Sequence, residues 1–326
     1  MHMADALISP AVAGTVGVLS TAAAVYSIKK IKDEDNSKKI PLMGVMSAFV
    51  FAAQMINFTI PGTGSSGHLC GGALLSALLG PFEGFISMIA ILVIQCLFFA
   101  DGGLMALGCN IWNMAFYSCF FGYFCIYRPI MKNGMTRKKI VLASILSSVI
   151  SLQLGAFSVV IETMLSGVTE LGFLDFVLFM QPIHLAIGLI EGLITAAVLL
   201  FVYETNGQLI SDSKENKISL KTTLVILTTM VVFIAGGVSL IASSNPDGLE
   251  WSIFKVTGSE EIETEGEAYS KAETIQEKTA FLPDYNFKDS ESNIGTSVSG
   301  ITGSLIVAGI AISICAVVKI FKRKKE

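Results

Sequence analysis

The chain alternates charge-free apolar segments with short polar or basic stretches. Roughly 20 apolar residues in a helix span the hydrocarbon core of a bilayer, and several segments reach that length. The pattern therefore predicts an all-α integral membrane protein with about nine transmembrane helices. We place them at 7–27, 41–60, 69–79 (a short segment), 82–99, 104–127, 140–164, 183–203, 220–242 and 300–318, with an interfacial turn at 173–180.

Composition favours a membrane protein over two soluble domains, because 52% of the 326 residues are hydrophobic and only 15% are charged. All six cysteines fall in or beside apolar segments, which is typical of small buried side chains rather than of a disulfide framework. The sequence has no Walker A motif, no H-E-x-x-H motif and no nucleic-acid-binding signature. We therefore expect no bound nucleotide, no nucleic-acid partner and no enzymatic activity.

The basic residues are distributed asymmetrically along the chain. Alternate loops hold 5, 5, 3 and 5 of the 22 Lys and Arg residues. Because cytoplasmic loops are enriched in Lys and Arg, this pattern predicts an N-terminus outside and a C-terminus inside. The long segment 245–297 then lies outside, and it is acidic, with twelve Asp or Glu residues against four Lys residues.

A polar link at 206–217 marks a predicted boundary between two units. Residues 1–210 form a seven-helix unit in this interpretation. Residues 211–326 form a two-helix unit, and 245–297 is the extracytoplasmic loop between its helices.

The first two residues carry the strongest chemical signal. The α-amine of Met1, with the amide nitrogen and imidazole of His2, can chelate one divalent cation once the amide is deprotonated. A fourth nitrogen is available from His68, which lies in a glycine-rich loop, or from His184. A square of four nitrogens suits Ni²⁺ or Cu²⁺, and Co²⁺ less firmly. A chance histidine near a start codon, or a cloning remnant, also explains His2.

Other polar residues in apolar surroundings have two interpretations each. His184 and Glu191 lie two helical turns apart, so they either couple ion movement or dock a neighbouring helix, and we favour docking. Asp5 and Asp101 either orient a metal-binding imidazole, by accepting a hydrogen bond from its other ring nitrogen, or cap helices. Asn110 either hydrogen-bonds a histidine ring or pins neighbouring helices.

Several segments resemble a known family. They are 1–10 (MHMADALISP), 66–73 (SGHLCGGA), 79–81 (LGP), 100–110 (ADGGLMALGCN) and 184–192 (HLAIGLIEG). These segments resemble the NikM/CbiM family, the substrate-specific components of nickel and cobalt energy-coupling factor transporters. The resemblance covers most of residues 1–205, and it implies that Met1, His2 and His68 hold the metal ion.

The C-terminal part resembles a second family. The segment 246–251 (PDGLEW) directly follows a predicted helix, and 282–285 (LPDY) precedes the last one. Both resemble the PDGLE domain, which is similar in topology to the auxiliary component (NikN or CbiN) of the same transporters. The chain therefore looks like a fusion of a specificity component with an auxiliary component.

The resemblance implies a high-affinity uptake component with Ni²⁺ or Co²⁺ as its transported substrate. It implies a multi-pass protein of a bacterial or archaeal cytoplasmic membrane, in contact with lipid. The implied partners are a transmembrane coupling (T) component and two ATPase subunits, which supply the energy. The alternative is an assembly or scaffold subunit that docks transporter partners without binding metal. The sequence does not decide between nickel and cobalt.

Overall fold

The structure is a computed structural model that describes residues 1–33, 39–210, 216–259, 262, 264–288 and 293–323. Six of its helices are long and apolar enough to cross a membrane. This confirms the predicted class of a mostly helical, multi-pass membrane protein. Some of the basic residues used for the orientation, such as Lys38, Lys214 and Lys324, lie outside the described residues, as does 211–215 beside the proposed boundary.

The helices coincide with the predicted apolar segments, but several of their ends differ from the predicted ones. They are α1 (Pro10–Asp33), α2 (Lys39–Gln54), α3 (Gly72–Leu79), α4 (Pro81–Phe99), α5 (Leu107–Asn110, continued by a π-helix over Ile111–Tyr127 and by Arg128–Met131), α6 (Arg137–Ser166), α7 (Phe173–Thr205), α8 (Leu220–Gly236), α9 (Gly248–Thr257), α10 (Glu267–Thr279) and α11 (Asn293–Arg323).

The chain between α2 and α3 is not helical, so the predicted ends at 60 and 69 were wrong. Strands β1 (Phe58–Ile60) and β2 (Ser65–Gly67) form an antiparallel hairpin in which Phe58 pairs with Gly67. The turn between them contains Gly62 and Gly64 in left-handed conformations that favour glycine. Because the hairpin reverses the chain, it delivers His68 back towards the helices.

Helix α7 is continuous, whereas the sequence predicted a separate turn before a helix starting at Ile183. Pro182 lies inside this helix. Proline removes a helical hydrogen bond, and membrane helices tolerate it where neighbouring groups compensate. Beside the proline, Gln153 on α6 donates a hydrogen bond of 2.9 Å to the carbonyl oxygen of Gln181, which joins the two helices at this point. The helix therefore begins at Phe173 and not at the predicted Ile183.

Glycines on α7 allow a close approach to α6. A Cβ added at Gly188 would lie 3.0 Å from Cα of Val149, and one at Gly192 would lie 2.5 Å from Cα of Ile145. Small residues four positions apart are a common device for packing membrane helices. The α6–α7 pair is thus a tightly packed support for the residues that α7 carries inward.

The acidic segment 245–297 contains structure that the sequence did not predict. Helices α9 and α10 lie within it, and both contact the end of the bundle that holds the N-terminus. Tyr269 on α10 donates a hydrogen bond of 3.0 Å to the carbonyl oxygen of Ile8, and Gln276 donates one of 2.8 Å to that of Gly102. The segment therefore covers the N-terminal residues.

Candidate metal site

The first three residues are fixed inside the bundle by the chain around Asn110. The Met3 N–H donates a hydrogen bond of 2.7 Å to Oδ1 of Asn110, and Nδ2 of Asn110 donates one of 3.2 Å to the Met3 carbonyl. The N–H of Gly103 donates to the same carbonyl at 2.8 Å. Asn110 was predicted to bond a histidine ring or to pin helices. Its contacts are with the N-terminal backbone.

The amine of Met1 lies between an imidazole and a carboxylate. Nε2 of His68 is 3.0 Å from this nitrogen, and Oδ2 of Asp247 forms an ion pair with it. Nδ1 of His68 is 3.0 Å from the carbonyl oxygen of Leu69. If Nδ1 carries the proton and donates it there, the lone pair of Nε2 is directed at the amine. This is the tautomer that a metal-binding Nε2 requires.

The ring of His2 stacks on that of His68. Their centroids are 5.1 Å apart and the planes are inclined by 20°. Nδ1 of His2 is 3.1 Å from Oδ1 of Asp101, and Nε2 is 3.2 Å from Oε1 of Gln95. A neutral imidazole carries one N–H and can donate to only one of these two oxygens. The second ring nitrogen is then available as a lone pair.

Burial keeps both imidazoles neutral at physiological pH. Desolvation, followed by the charge of the terminal ammonium, lowers the pKa of His2 to about 3. The same two causes, followed by the neighbouring His2, lower the pKa of His68 to about 3. Neutral imidazole is the form that binds metals, so both rings are ready to act as ligands.

The carboxylates around the amine differ in their environment. Burial would raise the pKa of Asp247, but the terminal ammonium and His68 hold it well below its usual range. Burial raises the pKa of Asp101, opposed by the hydrogen bond that the Tyr285 hydroxyl donates to its Oδ2. Asp247 is therefore a fixed negative charge beside the amine.

Asp5 was predicted either to orient an imidazole or to cap a helix. Its Oδ1 accepts a hydrogen bond of 2.9 Å from the N–H of Ala106. This contact fixes the chain between Asp101 and α5. The hydrogen bonds described for Asp5 go to the backbone and not to an imidazole.

His184 and Glu191 lie behind the His68 loop. Glu191 accepts hydrogen bonds from the N–H groups of Cys70 (2.9 Å) and Gly71 (3.2 Å). Nδ1 of His184 is 2.8 Å from the carbonyl oxygen of Met180. His184 also lines a cavity of about 10 Å³ together with Met1, His68 and Asp247. Such a volume holds about one water molecule.

The sequence patterns did not indicate three residues of this site, namely Gln95, Asp247 and Tyr285. Two of them lie in the motifs 246–251 and 282–285, so the motif itself was an available signal for Asp247 and Tyr285. Gln95 is a fully buried amide in the apolar α4, where an uncharged polar residue gives only a weak signal.

The fold and the site together define a multi-pass helical membrane protein that gathers an amine, two imidazoles and carboxylates around its first residues. Comparison with known proteins agrees with that class. A family model described as cobalt uptake substrate-specific transmembrane region, CbiM, matches residues 2–209, and the PDGLE domain matches residues 221–320. The chain belongs to the CbiM family and carries a C-terminal PDGLE domain.

Relatives and solved structures agree with this membership. A protein of Archaeoglobus fulgidus named as a fused nickel transport protein, NikMN, is 33% identical over 315 residues, which cover 96% of this chain and 98% of that one. A cobalt transport protein CbiM of Sorangium cellulosum is 29% identical, over 56% of this chain and 80% of its own length. These names confirm the predicted family.

A crystal structure of a truncated transition metal transporter superposes with a TM-score of 0.56 at 30% identity, covering 63% of this chain and 99% of that one. The matched family, relatives and structure are transport proteins. The expectation that the chain is not an enzyme is thereby confirmed.

Proposed function

We propose that the chain takes up Ni²⁺ or Co²⁺ as the metal-binding membrane component of an energy-coupling factor ABC transporter. The observation that carries the proposal is the contact between the Met1 amine and Nε2 of His68, 3.0 Å apart, under the stacked ring of His2. Nitrogen donors of this kind are preferred by late divalent transition metals. The names of the relatives support the same two ions.

The proposed ligands are the amine of Met1, the amide and imidazole nitrogens of His2, and the imidazole of His68. Within the part of the chain that the structure describes, no three His, Cys, Asp or Glu side chains form a conventional metal cluster. The proposed donor set is therefore built from the terminus and the backbone as well as from side chains. To bind, His2 must exchange its contact with Asp101 for the ion.

The topology and assembly are part of the same proposal. The N-terminus and the segment 245–297 face the outside of a bacterial or archaeal cytoplasmic membrane, and about nine transmembrane helices form the bundle. Residues 1–210 are the specificity component and 211–326 are the auxiliary component. No nucleotide motif is present in this chain, so the energy comes from partners. The family resemblance implies that these are a coupling (T) component and two ATPase subunits.

The decisive test is a calorimetric titration of the purified chain, with its amine at Met1, with NiCl₂ and with CoCl₂. One extra residue before Met1 moves the amine away from His68, so we expect binding to be lost while the fold is retained. Full affinity in the extended protein would defeat the proposed ligand set. The unextended chain failing to bind either ion would favour the scaffold alternative.

His68→Ala tests the fourth nitrogen with a matched control. His184→Ala removes another buried histidine of the same cavity whose Nδ1 bonds to its own helix. We expect the first variant to lose most of the affinity and the second to keep it. Equal losses in both variants would mean that His68 acts through packing.

A further inference from the structure

The PDGLE motif begins helix α9, and the two carboxylate oxygens of Asp247 have different partners. Oδ1 accepts hydrogen bonds from the N–H groups of Leu249 (2.8 Å) and Glu250 (3.0 Å), and Oε2 of Glu250 accepts one of 2.9 Å from the Asp247 N–H. This reciprocal arrangement is a capping box. It fixes the carboxylate and leaves Oδ2 to point away from the helix.

Oδ2 of Asp247 points at the proposed metal site. It forms the ion pair with the Met1 amine and lies 3.8 Å from Nε2 of His68. Both of these nitrogens are proposed ligands. One oxygen of the C-terminal domain thus lies beside two metal donors of the N-terminal domain.

The neighbours of Asp247 attach the motif to the hairpin that precedes His68. The Ser66 N–H donates a hydrogen bond of 2.8 Å to the carbonyl oxygen of Pro246, and the Ser66 hydroxyl donates one of 2.7 Å to that of Asn245. Nε1 of Trp251 donates one of 3.0 Å to the carbonyl oxygen of Thr63. These bonds fix the position of Asp247 relative to the His68 loop.

Gly248 lets the motif approach α7. A Cβ at this position would lie 2.9 Å from Cδ1 of Ile187 and 3.1 Å from Cε1 of His184. A larger residue here would require the side chains of Ile187 and His184 to move. Each residue of Pro-Asp-Gly-Leu-Glu therefore has a structural role. The proline carbonyl accepts from Ser66, the aspartate carboxylate contacts the Met1 amine, and the glycine allows the close approach to α7. Leu249 is buried (2% exposed), and the glutamate completes the capping box.

Charge balance favours a direct contact between the Asp247 carboxylate and the ion. A divalent cation bound through one deprotonated amide keeps a net charge of about +1, and a buried charge is costly unless an opposite charge compensates it. Asp247 is 13% exposed and carries a negative charge beside the Met1 amine, at the proposed metal site. A neutral complex results when its oxygen contacts the ion.

We propose that Asp247 supplies an oxygen donor and the compensating charge to the bound Ni²⁺ or Co²⁺, so that the PDGLE domain completes the metal site. This inference rests on the proposed function. The domain then contributes directly to metal binding, in addition to covering the N-terminus.

The test compares Asp247→Asn with the full chain, its amine at Met1, in titrations with NiCl₂ and CoCl₂ followed by calorimetry and electronic absorption. Asparagine is as good an N-cap as aspartate, so α9 keeps its start. We expect about 10- to 100-fold weaker binding, the usual range for losing a supporting group at a metal site, and a changed ligand-field spectrum. Asp247→Ser, which also caps helices, should show the same loss.

Glu267→Gln is the matched control, because it removes an equal charge from an exposed residue of α10 that pairs with Lys271. It should bind like the unaltered chain. Unchanged affinity and spectrum in both Asp247 variants would overturn the donor assignment alone. Tighter binding would also overturn it, because Asp247 would then only compete for the amine. Failure of the unaltered chain to bind overturns the proposed function and this inference together.

Discussion

The carboxylate of Glu191 accepts a hydrogen bond of 2.9 Å from the backbone N–H of Cys70, a residue 121 positions earlier in the chain. Its other oxygen accepts one of 3.2 Å from the N–H of Gly71. Both N–H groups directly follow the His68 loop and precede α3. A buried acid on α7 therefore holds the backbone that carries a proposed metal ligand, and packing of α7 determines where that ligand lies.

Replacing Glu191 with Gln should weaken metal binding about tenfold. The side-chain amide has one oxygen, so in the observed geometry one of the two N–H groups faces an NH₂ group instead of an acceptor. Leaving a buried donor unsatisfied costs about 1–3 kcal/mol of stability. A nickel titration and a thermal unfolding measurement in detergent check both effects.

Glu204→Gln is the control for this substitution. Glu204 accepts a hydrogen bond of 2.8 Å from Arg137 near the other end of α7. The control should retain its nickel affinity. If Glu191→Gln bound nickel as tightly as the unaltered chain, the loop would be held by other contacts.

Gly102→Ala should disturb the proposed site through His2. Gly102 has a φ of 81°, and an added Cβ would lie 2.8 Å from Nδ2 of Asn110 and 3.3 Å from Cβ of His2. Both the backbone strain and the contact would shift the N-terminal residues. We expect metal affinity to fall at least about tenfold, because small displacements of a ligand are costly at a preorganised site.

Gly134→Ala separates strain from contact. Gly134 has a similar φ of 90°, lies between α5 and α6, and has open space around an added Cβ. Both alanine variants should lose stability, but only the one at Gly102 should lose nickel affinity in a calorimetric titration. Equal affinities would mean that the loop after α4 adjusts freely.

Tyr285→Phe should weaken metal binding by positioning His2 less well. The Tyr285 hydroxyl donates to Asp101 and accepts a hydrogen bond of 3.1 Å from Gln95, and both partners contact the His2 ring. Without the hydroxyl, the two groups that orient the ring lose their common partner. Loss of an outer partner typically costs about 10- to 100-fold in metal affinity.

Tyr203→Phe controls for the loss of a tyrosine hydroxyl. Tyr203 donates a hydrogen bond of 3.0 Å to the carbonyl oxygen of Met135, near the other end of α7. Nickel affinity should be unchanged in this variant. If Tyr285→Phe also kept its nickel affinity, the ring of His2 would not need the Tyr285 hydroxyl for its position.

The sequence was most informative where chemistry and periodicity coincide. Charge-free segments predicted the long helices. The nitrogens of residues 1 and 2 led to the prediction of a chelating terminus, which stays a prediction. The family resemblance favoured His68 over His184 as the fourth nitrogen. Segment 245–297 was predicted only as an acidic loop, because α10 is polar and its contacts with the bundle are made by single side chains such as Gln276.

Long-range contacts limited what could be predicted about the site. Asp247 reaches Met1 across 246 positions, and no local pattern encodes such a distance. Its neighbours show how the contact arises, since Ser66 pairs with Pro246 through the main chain. Asp5 shows a related limit: a short acid can satisfy nearby backbone N–H groups as readily as an imidazole, and the sequence left both interpretations open.

The pH dependence of stability should reveal that His68 is buried as a neutral ring. Burial and the terminal ammonium lower its pKa to about 3, whereas an unfolded histidine titrates near 6.5. Between these values the unfolded chain binds more protons, so His68 makes the chain less stable as pH falls, by at most about 1.4 kcal/mol per pH unit.

The difference between two variants isolates this contribution. Glu250 acts with the opposite sign, because the charge of Asp247 and then burial raise its pKa to about 7 and acid stabilises its folded form. The total slope therefore mixes several groups, but Glu250 is present in both proteins. Metal-free His68→Gln should lose less stability than the unaltered chain between pH 6.5 and 5, as measured by denaturant or thermal unfolding. Identical slopes would mean that His68 takes up protons in the folded chain over the same pH range as in the unfolded chain, so that it is not buried as a neutral ring.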